Sequence, residues 1–575
     1  MKININIRLV PLGVYIFAFV VVFSIGALSS ILLGVEFTDT GFMLGLSHRM
    51  VEGQAIYRDF DFVRPPLTPW LWHFPLMMDL EWPGIFIRLL VVGQKIAIGL
   101  LVFLSLRRCG ITKATALFCG SLTTIFVMHH IPSEPWYTVD GIFFICVSIA
   151  AMSYGHLSLG FIFSMLAAAT KQSFFPFPVF YLLIACLMPG RKTILLTFLP
   201  LSVAFGSWIN WLFDLSAFTR ISTGVGSFEQ IYAFLVKPHI IPDIEYFATL
   251  IIAAALPLML ALRPLGLKPR VLSWARITSG ISTKYKQTPV TIQTVLLLSP
   301  LVPVIIIVLK MAYIFCTRQE LFFSIGGGTH VFMVASIVHM LIRYHRSGNE
   351  ILHDPHFLLG TLFLIGAFCT TISWGYRGYV YGFGFLVAAN VLFSSRRVNF
   401  QLSQIMLVLI LVTSIFAFLR LLTPYRTESP LFESYSRVES GYYKNVYVST
   451  RTKQLLESIQ EIASKTQCFD FYPTMTSAGL LGQYIPPLRV DWQMDVEFPN
   501  PNEGLNYLKQ NRCALFVEKG DIDVSTFGKS TMINLDEYAE DMQDYNDHFL
   551  LLDFNAAESR PALHQAPGIP PSRWA

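Results

Sequence analysis

Two carboxylates, Glu36 and Asp39, stand just past the first long apolar run of this chain. Arg49, Tyr57, Arg58, Asp59, Asp61 and Arg64 follow before Pro65-Pro66 stiffens the backbone. A carboxylate beside a membrane can move a proton or cap a helix, and Asp39 taken alone is explained equally well as a cap for a helix over 41–51. Lys171 ends another apolar run. It is a compact cation at phosphate depth, suited to a lipid phosphate or to anchoring a span end by snorkelling.

Three further places hold polar groups that chemistry could use. One stretch carries His129, His130, Glu134, Trp136, Tyr137 and Asp140. Its carboxylates could meet Asp39 across a cavity, as a second acid or as acceptors from a sugar hydroxyl. Two adjacent histidines without a second pair do not make a metal site, and no CxxC spacing occurs. Arg377 lies among Trp374, Tyr376, Tyr379 and Tyr381. A guanidinium there can hold phosphate bidentately, while the aromatics either stack on sugar or prenyl groups or form an interfacial belt. Arg88 and Lys95 are seven apart in one apolar run and share a helix face. Arg88, near the run's outer end, can snorkel; Lys95 is deeper and needs an internal partner.

The elements that must position these residues are membrane helices. Of 575 residues, 54% are hydrophobic and 14% charged. A soluble domain carries about a quarter charged residues, so most of this chain avoids water. Apolar runs near 9–33, 84–106, 113–129, 139–154, 158–170, 174–188, 194–212, 243–262, 290–314, 326–343, 356–373, 378–394 and 402–422 give about thirteen expected spans. The first is too long for a signal-peptide core.

If the N-terminus is cytoplasmic, inside loops hold seventeen Lys and Arg residues and outside loops eight. That bias supports the orientation, and it puts the stretch 34–83, Lys171, Arg377 and the chain's C-terminal region outside. Basic residues confined to short loops are topology signals, which argues against nucleic-acid binding.

The stretch 34–83 is too long for a connector and rich in aromatic and aliphatic residues, so interfacial helices are expected in it. After 423 the composition turns polar. A helix over 452–464 with Leu455, Leu456, Ile459 and Ile462 at helical spacing, a strand over 468–472, a helix over 503–510 and a strand over 514–518 read as a small α/β domain over 423–555. The tail 556–575 reads as disordered. Cys468 and Cys513 lie in this domain and could pair in an oxidising compartment, whereas the other six cysteines lie in or beside apolar runs and read as packing.

The order of residues in two segments resembles a known family. Glu36-Phe37-Thr38-Asp39-Thr40-Gly41, then Gly53-Gln54-Ala55-Ile56-Tyr57-Arg58-Asp59-Phe60, then Arg64-Pro65-Pro66-Leu67, is similar to the first-loop signature of GT-C glycosyltransferases. The likeness is to the bacterial polyprenyl-phosphate-sugar enzymes related to protein O-mannosyltransferases, aminoarabinose transferases and lipopolysaccharide galacturonosyltransferases. Gly160 through Thr170-Lys171-Gln172 looks like that family's glycine-led span ending in Lys-Gln or Lys-Pro. The resemblance covers 1–420 in layout but only 36–67 and 159–175 in motif.

It implies a GT-C-like membrane module over 1–422 in a bacterial inner membrane, with active site and C-terminal domain extracytoplasmic. It further implies Asp39 as general base on an acceptor hydroxyl and inversion at the anomeric carbon of a polyprenyl-phosphate sugar. The lipid phosphate would be held by Lys171, Arg377, Arg64 and Arg88. Glu36, Glu134 and Asp140 would be candidates for a second acid or sugar contact, and Tyr57, Trp136, Tyr137 and Tyr379 for stacking. The acceptor would be a lipid, glycan or protein; some family members use a divalent cation, and no ligand set is visible for one. The competing expectation is a lipid or solute transporter, but transporters place polar residues near mid-membrane and often repeat internally, whereas here polar residues concentrate at one outward boundary and no fixed-period repeat occurs.

Overall fold

A computed structural model describes residues 12–37, 39–60, 62, 64–130, 134–188, 197–198, 200–207, 296–301, 326–372, 382–394, 398, 400–422, 434–472, 476–489, 501–519 and 542–554. Its helices are α1 (Leu12–Leu32), α2 (Asp39–Val51), α3 (Leu67–Leu76), α4 (Pro83–Arg108), α5 (Lys113–His130), α6 (Tyr137–Ser153), α7 (Leu157–Ala168) and α8 (Pro176–Ala185). They continue with α9 (Gly326–Ser347), α10 (Pro355–Ile372), α11 (Phe383–Phe393) and α12 (Leu402–Leu422).

These helices form a bundle in which α4 packs on α5 and α6, α1 on α12, and α11 on α5, α9 and α10. Its outer surface is apolar. Phe17 on α1 is 70% exposed and Phe418 on α12 60%, with Leu100 on α4 and Val179 and Leu183 on α8 also facing outward. Side chains of that kind need hydrocarbon around them. The protein is therefore a mostly helical integral membrane protein.

Most of the described apolar runs fold as helices shorter than a full crossing. Among the described residues α1 and α4 are each long and apolar enough to span alone; a third crossing is counted if 332–353 and 355–371, bent by 110°, are one broken span. Runs 158–170 and 174–188 fold as α7 and α8, of 12 and 10 residues. At 1.5 Å per residue each is roughly 15–18 Å long, about half a hydrocarbon core. The break falls where Lys171 turns extended (φ −160°, ψ 145°) and a 3₁₀ turn, Gln172–Phe174, leads into Pro176. The expected spans 243–262 and most of 290–314 lie outside the described residues, as do Arg377, Tyr379 and the tail 556–575.

The C-terminal region is α/β. Strands β1 (Tyr435–Arg437) and β2 (Tyr447–Ser449) form an antiparallel pair. Helix α13 (Thr450–Lys465) follows, capped by Ser449 Oγ accepting from Thr452 N–H, and buries Leu455, Leu456, Ile459 and Ile462. Next come β3 (Phe469–Tyr472), α14 (Ala478–Gly482), α15 (Pro501–Asn511), β4 (Ala514–Glu518), β5 (Met542–Asp544) and β6 (Phe549–Asp553). The sheet order is β3-β4-β6-β5, with only β3 and β4 parallel. Cys468 and Cys513, just before these parallel neighbours, form a disulfide.

This region is joined to the bundle through the first loop. Val35, Phe37 and Leu44, with Trp72 and Leu76 of α3 and Ile87 and Val91 of α4, share one hydrophobic cluster with Tyr442, Tyr443, Leu480 and Phe516. Gly34 N–H donates to the Tyr447 carbonyl at 2.8 Å, extending β2 by the chain leaving α1. An interfacial helix would keep one face toward headgroups, but α2 is almost entirely enclosed from Gly41 to Arg49. The first loop and the C-terminal region thus occupy one face of the bundle. Helix α4 runs from that face, where Gly84 N–H donates to the Tyr442 carbonyl, to Arg107 and Arg108, a length of about 39 Å.

Candidate active site under the first loop

Helix α2 begins at Asp39, two residues earlier than the 41–51 body read from the sequence. Its first turn is covered by the C-terminal region. A Cβ built on Gly41 would lie 3.0 Å from both Ser477 Oγ and Thr476 Oγ1, so glycine there is what lets the two segments close. Thr476 Oγ1 donates to the Phe37 carbonyl at 2.5 Å. Glu36 is buried in the extended stretch between α1 and α2.

Further along, the loop makes a tight turn. Tyr57 N–H donates to the Phe60 carbonyl at 2.8 Å, and Tyr57 sits at φ +67°. That is an uncommon region for a bulky side chain and costs on the order of 1 kcal/mol, so surrounding contacts must hold it. The side chain is buried and its hydroxyl donates to the Arg64 carbonyl at 2.5 Å. Asp59 closes the same turn by accepting from Ala55 N–H at 2.7 Å. The Arg58 guanidinium beside it, with that N–H, holds the Asp59 carboxyl down at about 2.

Arg64, Tyr137 and Lys171 come together from three separate segments. The Arg64 guanidinium carbon and Lys171 Nζ each lie 4.4 Å from the centroid of the Tyr137 ring. At most twice that distance therefore separates the two charges, and both side chains are buried. Leu67 N–H donates to the Ala169 carbonyl at 3.1 Å, fixing the first loop to the end of α7. On the other side the Phe174 ring fills the space over Gly141, where a Cβ would come within 2.1 Å of it. The 3₁₀ turn that follows Lys171 is seated on α6 in this way. Trp136 packs at 4.1 Å between ring centroids against Tyr137.

No known protein-family profile matches the chain, and no curated protein matches it. Among solved structures it is similar to ArnT from Cupriavidus metallidurans in the apo state, with 14% identity over 96% of this chain and 99% of that one and a TM-score of 0.41. It is also similar to ArnT from Cupriavidus metallidurans bound to undecaprenyl phosphate, with 12% identity over 96% and 100% and a TM-score of 0.37.

Of the remaining expected site residues, several hold other elements together. Arg88 Nη2 donates to Glu134 Oε1 at 2.6 Å and to the Gly34 carbonyl at 2.7 Å; its Nη1 donates to the Ile31 carbonyl at 3.2 Å. The guanidinium also lies over the Tyr443 ring, 5.3 Å from its centroid. Arg88 and Glu134 thus join α1, α4, the segment before α6 and the C-terminal region. Asp140 on α6 accepts from Trp72 Nε1 at 3.1 Å and Gln94 Nε2 at 2.8 Å, which ties α3 and α4 to α6. Lys95 is fully buried within the bundle. Among the described residues no group of His, Cys, Asp and Glu is placed to hold a metal ion.

Sequence reasoning did not single out His48, Trp72, Gln94, Thr476 or Arg489 for the site. Their partners lie far along the chain, and no local spacing announces them. Burial holds the His48 imidazole at about 4, with the Arg49 charge lowering it further and the Tyr484 carbonyl, 3.3 Å from Nε2, opposing the shift. Arg49 Nη2 donates to the Leu488 carbonyl at 2.6 Å.

Proposed function

We propose that this chain is a membrane glycosyltransferase that moves a monosaccharide from a polyprenyl-phosphate donor to a lipid, glycan or protein acceptor. The observation that carries the reading is the convergence of Arg64 and Lys171 on the Tyr137 ring, at the edge of the loop that opens α2 with Asp39. A phosphate monoester or diester carries the charge that two such cations attract. Both groups stand at the end of membrane helices or beside them, where a lipid phosphate would arrive from the bilayer.

In this reading Lys171 and Arg64 hold the lipid phosphate and stabilise the charge it gains as the glycosidic C–O bond breaks. Asp39 takes the proton of the acceptor hydroxyl as its oxygen attacks the anomeric carbon from the opposite side, which inverts that centre. Arg377 would add a further cation. Arg88 acts by holding α1, α4 and Glu134 together, and Asp140 by holding α3. The orientation goes with the proposal: a polytopic chain of about thirteen crossings in a bacterial inner membrane, N-terminus cytoplasmic, first loop and C-terminal region outside. The residue order in 36–67 and 159–175 and the bias of basic residues support it.

The test uses purified protein in proteoliposomes with the pool of polyprenyl-phosphate monosaccharides extracted from bacterial membranes, reading free polyprenyl phosphate by mass spectrometry. Wild type releases it in the presence of total membrane glycolipid as acceptor. Asp39→Asn lowers the rate by about a hundred- to ten-thousandfold at unchanged protein level. Full activity in that variant overturns the assignment of Asp39, and movement of intact lipid across the bilayer with no glycosidic bond formed would establish a transporter instead.

A further inference from the structure

The segment 476–489 of the C-terminal region crosses the first loop and is attached to it at successive points: Thr476 on the Phe37 carbonyl, the Tyr484 carbonyl on His48, the Leu488 carbonyl on Arg49. Its last described residue, Arg489, is attached to the turn at Tyr57 and Arg58. Arg489 Nη1 donates to the Arg58 carbonyl at 3.0 Å and Nη2 approaches the Tyr57 carbonyl at 3.4 Å. A planar guanidinium spanning two successive carbonyls fixes the orientation of the peptide between them.

That peptide belongs to the residue held at φ +67°, whose hydroxyl donates to the Arg64 carbonyl. Arg64 in turn places its guanidinium on the Tyr137 ring beside Lys171. A continuous set of contacts therefore leads from an exposed arginine of the C-terminal region, through one strained tyrosine, to a buried cation beneath the loop.

We propose that Arg489 is a positioning residue: acting through Tyr57, it sets Arg64 where a lipid phosphate is bound, so that the C-terminal region governs selectivity for phosphorylated over unphosphorylated polyprenyl lipid. The proposal rests on the phosphate reading of Arg64 and Lys171. Small displacements of a group that holds a charged ligand are costly, because the partner geometry is set to a fraction of an ångström. A turn pinned at both its carbonyls and its side chain meets that requirement, and one pinned at its side chain alone does not.

The test measures equilibrium binding of undecaprenyl phosphate and of undecaprenol to the full chain in detergent, by intrinsic tryptophan fluorescence, and takes the ratio of the two Kd values as the phosphate preference. Arg64→Gln lowers the preference by tenfold or more in order of magnitude. Arg489→Gln, which loses two hydrogen bonds, and Tyr57→Phe, which loses one, each lower it about threefold to tenfold without changing affinity for undecaprenol. The double variant loses no more than the larger single loss, since both interrupt one set of contacts. Should Arg489→Gln fail to fold, Arg489→Lys, which keeps the charge but loses the planar pair of donors, makes the same comparison with Tyr57→Phe. Loss of preference in Arg64→Gln alone, or single losses that multiply in the double, overturns the role of Arg489 and leaves the phosphate reading standing. An unchanged preference in Arg64→Gln overturns the phosphate reading and the positioning role with it.

Discussion

Arg88 Nη2 lies 2.6 Å from Glu134 Oε1, with both side chains at 0% exposure. The same guanidinium also donates to the Ile31 and Gly34 carbonyls, so one ion pair fastens α1, α4 and the segment before α6 at the face where the first loop begins. Breaking a buried pair by removing one partner leaves an uncompensated charge and costs about 3–5 kcal/mol. Arg88→Met or Glu134→Leu alone is expected to lower the detergent melting temperature sharply. The double substitution Arg88→Met with Glu134→Leu should recover most of that loss, which a thermal melt of the three variants checks.

Gly141 on α6 tests whether the seat of the Lys171 turn matters. Its added Cβ in Gly141→Ala would come 2.1 Å from the Phe174 ring, which is fully buried. Overpacking of this kind costs about 1–3 kcal/mol and forces the ring aside. Affinity for undecaprenyl phosphate should fall several-fold, because Lys171 is three residues before that ring. Gly141→Ala combined with Phe174→Leu makes room again and should restore binding toward wild type, measured by the same fluorescence titration.

The imidazole of His48 gives the docked loop a pH dependence. Its ordinary value of 6.5 falls to about 4 when buried against the Tyr484 carbonyl. Above pH 6.5 the ring is neutral folded and unfolded, and its contribution is fully present. Between pH 6.5 and about 4 the unfolded chain takes up a proton that the folded chain does not, so stability falls as pH falls through that window, by on the order of 3 kcal/mol in total. Below about pH 4 this contribution levels off. Melting temperatures from pH 7 to 4 should decline more steeply in wild type than in His48→Gln, whose side chain stays neutral throughout.

The Cys468–Cys513 disulfide closes a separation of 45 residues. Cross-linking a loop of that length restricts the unfolded chain by about 4 kcal/mol in the chain-entropy account. Cys513→Ser should accordingly raise hydrogen exchange across β3, β4 and α13, read by mass spectrometry, while α4 and α6 exchange as before.

Much of the local structure was legible in the residues. Period-3.6 apolar positions at 455, 456, 459 and 462 are the buried face of α13, and the run 514–518 is β4, because patterning of this kind depends only on neighbours within one element. Helix α2 could be read within two residues of its start, and Lys171 could be read as the end of a helix. The break between α7 and α8 was visible as two apolar runs, 158–170 and 174–188, parted at Lys171-Gln172, but its consequence, two half-length helices, depends on how the turn packs over Gly141.

By itself, then, the sequence determined that this chain avoids water, that a charged and aromatic loop follows its first span, and that a polar α/β segment follows its last. Composition and periodicity settle such matters, since a hydrophobic run must leave water whatever it touches. Tertiary structure decided who meets whom. It gave Arg88 its carboxylate 46 residues away and laid 476–489 across a loop more than 400 residues earlier. It also brought Arg64 and Lys171 to one tyrosine ring. Such encounters are fixed by the packing of whole helices, and a buried charge takes its partner from whatever element that packing places beside it.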